Sequence, residues 1–430
     1  MRLTERARRI APSATMAASA RAKEMQQAGV DVILFDAGEP DFATPARVKE
    51  AGIAAIEANF TKYTPVGGTL DLRRAIAARL AADEGLEYAP EQILVGNGAK
   101  EICYNLCQVL LQAGDEAIIP APYWVSYAEQ VSLADATPVI APTDEEAGFK
   151  LSPAQLEDAI TPRTRLLFLN SPCNPTGATY TADELRALGE VLGRHPEVAL
   201  LSDEIYKKIY YGEGSTPSAP STPSTPSAPS APSAPSTPSA PSAVGVLRHL
   251  ADQAVLVDGA SKAYSMTGWR VGFAAGPRPV IAAMRNLQSH TTSGTASISQ
   301  KAATEAFGGD QSEVERMRRE FQRRRDSIVA ALNRVPGFDC ATPDGAFYAY
   351  PNVRAALGRD YRGRRVDTSL DLAAYLLDEA RVSVVPGEAF GTPGYLRLSY
   401  ATSMELIEAG LERIADAMTV ESPLAATALV

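Results

Sequence analysis

The sequence predicts an α/β fold: a mostly parallel central sheet in a large domain, plus a smaller α+β domain. Three observations carry this. From about residue 65 to 300, short apolar runs alternate with longer stretches of helical periodicity. After Ile298 long helices take over, notably the charged stretch Gln311 to Leu332, before the strand-like segments GAFYAY (345–350) and YLRLSY (395–400). The length of 430 residues also suffices for two domains and a large core. The expected division is 1–45 as an N-terminal arm and part of the small domain, 46–295 as the large domain, and 296–430 as the small domain.

Taken in order, Asp71 to Ala82 reads as a helix, with Leu72, Ile76 and Leu80 on one face and Thr69 as its cap. Ile93 to Val95 reads as a strand, followed by the glycine turn GNGAK (96–100) and a helix through Leu111. Ala117 to Ile119, Pro138 to Ile140 and Leu166 to Leu169 are further strands. Asp183 to Leu192 is helical, and Val198 to Leu201 is a strand ending at Ser202-Asp203-Glu204. Ala254 to Val257 supplies another. Such alternation favours parallel strands with helices on both faces.

From Ser215 to Ala243 the chain repeats Ser-Ala-Pro or Ser-Thr-Pro, with a proline at every third position. That composition cannot bury a core and suits polyproline II, so the tract is expected to be a disordered surface insertion. The hydrophobic fraction is 45%, the charged fraction 21% and the net charge −10, which is globular and acidic. The charge argues against nucleic acid or an anionic membrane as a partner. No run approaches a membrane span, and the basic N-terminus lacks the apolar core of a secretory signal. Cys103, Cys107, Cys173 and Cys340 form no CxxC pair and are read as reduced thiols of a cytoplasmic protein. Three widely separated histidines without metal spacing argue against a histidine metal site or a Ser-His-Asp triad.

Chemistry gathers at the ends of the expected strands, where open parallel sheets place their ligands. These ends read GNGAK, NSPCNPTG (170–177), SDEIY (202–206) and GASK (259–262). Lys262 sits among small residues just past a buried strand, with Arg270 eight positions on in TGWR. A lysine that forms a Schiff base, with an arginine for a cofactor's phosphate, accounts for both.

AGEPDF, PYWVSY, NSPCNPTG, SDEIY, SKAYSMTGWR and RLSYATS occur in this order. Together they resemble the class I aminotransferases, pyridoxal-phosphate enzymes of fold type I, and in particular the bacterial subgroup that includes aspartate/prephenate aminotransferases. The likeness runs from about Arg9 to Ala417, apart from the proline-rich tract. It implies pyridoxal 5'-phosphate as cofactor and Lys262 as its Schiff-base lysine and proton carrier. It implies Asp203 facing the pyridine nitrogen, with Tyr206 and Asn174 donating to the 3' oxygen. Ala99, Lys100, Ser261 and Arg270 match the phosphate pocket, where a helix N-terminus favours an anion. Trp124 matches the aromatic stacked on the cofactor. Tyr63 matches a tyrosine that reaches the neighbouring subunit's phosphate, which implies a homodimer.

For substrate, the resemblance assigns the α-carboxylate to Arg397 and the Gly38 backbone, a task that suits a planar guanidinium fork. Lys100, aided by Ser13 and Thr15, is associated in this subgroup with a side-chain carboxylate. Amino acids and 2-oxo acids are thus the implied partners, with aspartate and glutamate favoured as donors. Prephenate users share a lysine before the proline of PSAT (12–15); here that position is Ala11, which argues against prephenate. Alanine, aromatic or specialised amino acids are the alternative donors, and a pyridoxal-phosphate carbon–sulfur lyase would share most of these residues.

Overall fold

The computed structural model describes residues 2–10, 14–212 and 238–419, the side chains of 14–19 excepted. A two-residue strand, β1 (Ile33–Leu34), precedes the seven strands of the main sheet. These are β2 (Ile93–Gly96), β3 (Glu116–Ala121), β4 (Thr137–Pro142), β5 (Thr164–Asn170), β6 (Ala199–Asp203), β7 (Ala254–Gly259) and β8 (Gly272–Ala275). Their order is β2-β8-β7-β6-β5-β3-β4. Every neighbouring pair is parallel except those of β8, which runs antiparallel to β2 and to β7.

Alternation along the strands explains why both faces are covered. Leu167, Leu169, Leu200 and Leu256 enter one buried cluster, against the helices Leu70–Glu84 and Ala182–Leu192. Their sequence neighbours Leu166, Phe168, Leu201, Val255 and Val257 enter another, with Ile102, Cys103, Leu106 and Cys107 of the helix Ala99–Leu110. Leu72, Ile76 and Leu80 are wholly buried at four-residue spacing, each contributing roughly 1.5–3 kcal/mol of transfer free energy. Thr69 caps that helix by accepting from the Leu72 N–H.

A third cluster joins the two chain ends. β1 pairs in parallel with Val382–Ser383, and Phe35 packs with Leu396, Leu398 and Ile414. A three-stranded antiparallel sheet, with Leu396–Ser399 between Tyr348–Ala349 and Val385–Pro386, brings Arg397 towards the main sheet.

β8 reverses direction, so the connection from β7 returns along the same rim rather than crossing the sheet. Gly259 and Gly272 close this connection as a cross-strand pair. Both must be glycine: a Cβ on Gly272 would lie 2.2 Å from the Ala99 nitrogen, and one on Gly259 2.8 Å from the Val271 oxygen.

The end of the proline-rich tract departs from expectation. Residues 238–243 belong to the fold: Ala240, Ser242 and Ala243 are buried, and the Ala240 N–H donates to the Lys207 carbonyl at 2.9 Å. Ser242 caps the short helix Ala243–Val246, and its Oγ donates to Glu204 Oε1 at 2.8 Å, beside the Ala243 N–H at 3.1 Å. Small residues suit a tight buried corner as well as a solvated chain, which is why composition misplaced this boundary. The rest of the tract, through Thr237, lies outside the described residues. Ser242→Ala should therefore destabilise the protein by about 1–3 kcal/mol, losing a cap and a buried acceptor's partner. Chemical denaturation reads this directly. Deleting residues 215–237 alone should leave catalytic activity intact.

Candidate active site

The carboxyl ends of β5, β6 and β7 and the turn after β2 open into one cavity of about 710 Å3. Asp203 closes its floor. It is the last residue of β6, with a side chain buried between sheet and helix. Tyr127 Oη donates to Asp203 Oδ2 at 2.6 Å, and the Ile205 N–H donates to Oδ1 at 3.2 Å. Burial raises the Asp203 carboxyl above its ordinary value, against those two donors and the nearby Lys262.

Lys262 enters from the β7–β8 connection. Its Nζ donates to the Gly38 carbonyl at 2.5 Å and sits 5.8 Å from the Tyr206 ring centre. Burial pushes its ammonium down to about 8; Glu39 and Asp203 oppose this, while Arg397 and Arg270 reinforce it. An amine in that state is a nucleophile near neutral pH.

The cavity's next wall is a ready anion cradle. The helix Ala99–Leu110 points its first amides, those of Ala99 and Lys100, into the cavity. Gly98, at φ 92°, leaves room for Arg270, whose Nη2 would lie 2.5 Å from a Cβ there. Arg270 itself adopts a left-handed backbone (φ 55°) and donates to the Thr267 and Asn97 carbonyls. Ser261 lines the same wall. Trp124 flanks the floor, edge-on to Tyr127, with Lys100 Nζ 5.0 Å over its ring. Desolvation and Arg270 lower the Lys100 ammonium.

Opposite lies Arg397, almost wholly buried. Nη1 donates to Asn174 Oδ1 at 2.9 Å and Nη2 to the Asp36 carbonyl at 2.8 Å, both neutral acceptors. Its Nε is buried with no partner among the described residues. A guanidinium held so deep by neutral groups costs stability until an anion arrives. Because Asn174 spends its oxygen on Arg397, its amide hydrogens remain for another acceptor. Gly38 lines the cavity beside Lys262.

Eleven sequence-derived residues thus line one cavity: Gly38, Ala99, Lys100, Trp124, Asn174 and Asp203 with Tyr206, Ser261, Lys262, Arg270 and Arg397. Tyr63 does not; its side chain is fully exposed. Ala11 and Ser13 lie outside the described residues, as does the side chain of Thr15, which sits on the helix Ala14–Gln27. Three contributors escaped the sequence reading. Tyr127 lies in PYWVSY, three residues after Trp124, in the first turn of the helix Ser126–Leu133, where its N–H donates to the Trp124 carbonyl at 3.0 Å. Asn170 accepts the Asn174 N–H at 2.9 Å and donates to the Asp203 carbonyl at 3.0 Å, tying two strand ends together. Tyr348, in GAFYAY, is hydrogen-bonded to Tyr206.

Residues 30–414 match the family model described as aminotransferase class I and II. The chain belongs to that family. This aminotransferase is 47% identical to an aspartate aminotransferase of Geobacillus stearothermophilus, over 96% of the chain and 98% of the relative. It is 42% identical to an aspartate/prephenate aminotransferase of Nitrosomonas europaea, over 97% and 100%. A solved aspartate aminotransferase of Thermus thermophilus with maleate superposes with a TM-score of 0.85 at 38% identity, covering 97% of this chain and all of that one. The fold is accordingly fold type I, the activity is transamination, and the cofactor is pyridoxal 5'-phosphate. The cavity suits that group: a buried acid at the floor, a depressed lysine amine, and a helix N-terminus cleared by Gly98 beside an arginine. No helix among the described residues is long and apolar enough to cross a membrane, and they hold no cluster of metal-ligating side chains.

The depressed Lys262 amine has a measurable consequence. The rate at which the apoenzyme captures pyridoxal phosphate should rise with pH through a midpoint near 8, where about half the amine is neutral. An ordinary lysine would give a midpoint near 10, which would contradict the burial argument.

Proposed function

We propose that this aminotransferase transfers the amino group of aspartate or glutamate to a 2-oxo acid such as 2-oxoglutarate, in two half-reactions sharing one cavity. The observation that carries the reading is the meeting of Lys262, Asp203 and Arg397 in a single pocket. When bound, pyridoxal 5'-phosphate supplies an aldehyde that takes the amine and a ring that accepts the electron pair left at the substrate's α-carbon.

The chain's residues do the rest. Lys262 would hold the cofactor covalently at rest; once freed by substrate, its neutral amine would take the proton from the α-carbon and deliver it to the cofactor's C4′. The Asp203 carboxylate holds a proton on the pyridine nitrogen, and Tyr127 fixes that carboxylate in place. Tyr206 and the Asn174 amide donate to the ring oxygen. The amides of Ala99 and Lys100, with Ser261 and Arg270, grip the phosphate, while Trp124 covers the ring. Arg397 takes the α-carboxylate as a fork, with the Gly38 backbone beside it.

Donor choice rests on a second carboxylate. Lys100, with Ser13 and Thr15, would receive it. Support comes from the relatives named for aspartate and from the Thermus enzyme solved with maleate, itself a dicarboxylate. The working unit in this reading is a homodimer, the exposed Tyr63 reaching a second copy's phosphate. Cytoplasmic location is part of the same reading, supported by four unpaired cysteines. The domain division at 45 and 295 belongs to the same reading: Ile33 and Phe35 pack in the C-terminal cluster, whereas Ala302, Ala303, Ala306 and Phe307, beyond 295, pack in the cluster of the main sheet.

A donor panel tests the assignment. Purified protein loaded with pyridoxal phosphate is mixed with single amino acids while the cofactor's visible band is followed. Aspartate and glutamate should bleach the band and release their 2-oxo acids, with alanine and aromatic donors much slower. Faster bleaching by the latter group would overturn the dicarboxylate assignment.

A further inference from the structure

Tyr348 stands on the small antiparallel sheet, 142 residues from Tyr206, yet their hydroxyl oxygens are 2.8 Å apart. Its ring carries the Arg397 guanidinium 4.5 Å from its centre. A Cβ on Gly38 would lie 3.3 Å from Tyr348 Oη, so this hydroxyl also borders the carbonyl-bearing residue that Lys262 contacts. One side chain therefore touches the groups assigned to the cofactor's ring oxygen and to the substrate's carboxylate.

The hydrogen count gives the contact a direction. A phenol has one proton. If Tyr206 spends its proton on the ring oxygen, the contact with Tyr348 is satisfied only when Tyr348 donates. Among the described residues, Tyr206 is the hydrogen-bond partner recorded for Tyr348 Oη. Accepting a hydrogen bond makes a hydroxyl a stronger donor, by the mutual polarisation of linked bonds.

Building on the cofactor site proposed above, we propose that Tyr348 is a positioning residue: its hydroxyl orients and strengthens the Tyr206 donor, and its ring face holds the plane of Arg397. It thereby couples the electronic state of the cofactor to the seat of the substrate. Both phenols are buried, which keeps them protonated and able to donate.

The test is the pH titration of the visible band of the purified holoenzyme. The ring oxygen carries more negative charge after the lysine–cofactor linkage loses its proton, and a donor there favours that deprotonated form. Tyr348→Phe weakens the donor, so the titration midpoint should rise by about half a pH unit. Because phenylalanine keeps the ring, KM for aspartate should stay within about twofold. Tyr348→Leu removes the ring as well, and KM should rise roughly five- to tenfold, the range of a semi-buried cation–π contact.

A wild-type midpoint in Tyr348→Phe would overturn the proposal, as would a KM in Tyr348→Leu equal to that of Tyr348→Phe. Failure of the underlying site looks different: the wild type would then show no pH-dependent band, or Lys262→Ala would retain it.

Discussion

Lys262→Ala should reduce transamination at least about 10⁴-fold while leaving the fold intact. In the proposed mechanism the lysine has two tasks, covalent attachment and proton carriage, and general acid–base work alone is worth about 10²–10⁴-fold. The substitution should not unfold the chain. The Nζ sits at the edge of the cavity and binds the Gly38 carbonyl, and desolvation already makes its charged form unfavourable. Steady-state rates with aspartate and 2-oxoglutarate, alongside circular dichroism, decide the matter. A folded variant retaining a tenth of wild-type activity would mean that another base carries the proton.

Asp203→Asn should show function and stability moving in opposite directions. The side chain is buried and its carboxyl lies above its ordinary value, so keeping it charged at neutral pH costs folding stability. The sign follows: a folded pKa above the unfolded one means that the cost is absent in acid and complete once the pH exceeds the folded pKa. Asparagine is nearly isosteric and can still meet the Tyr127 hydroxyl and the Ile205 N–H. The apo-variant should accordingly match or exceed the wild-type Tm at pH 7. Activity should fall about 10²–10⁴-fold, because in the proposed mechanism the cofactor's pyridine nitrogen would lose its buried counter-charge, an effect of about 3–5 kcal/mol. Thermal melts without cofactor, paired with rates in its presence, separate the two effects. Lower stability together with full activity would show that Asp203 is merely structural.

The parts legible in the sequence share one property: they are local. β2 to β7 announce themselves as apolar runs, and the strand-end motifs name their chemistry within a few residues. β8 was missed because Gly272–Ala275 sets a single large apolar side chain, Phe273, among glycine and alanine, too weak a run to read as a strand. The antiparallel reversal it creates is a matter of topology, on which composition is silent. Tyr348 was missed for a related reason, since its meaning depends on a hydroxyl 142 positions away. Ser242 was hidden by its surroundings, sharing a repeat with residues outside the described structure while serving as a buried cap. Lys262 was found because few other tasks suit a lysine beside a buried strand, and Arg397 because RLSYATS resembles the family's motif. The position of Asn174 was clear, whereas its grip on Arg397 was not.

The reversal at β8 has an evolutionary consequence. Lys262 and Arg270 both lie on the connection between Gly259 and Gly272, two residues paired across the sheet, with Gly272 packed against the Gly98–Ala99 backbone and Gly259 against the Val271 carbonyl. With both ends pinned, inserting or deleting even one residue would slide the lysine relative to the arginine and leave no slack to absorb the change. Descendants of this chain can therefore substitute residues along that connection, but should retain its length for as long as they retain catalysis.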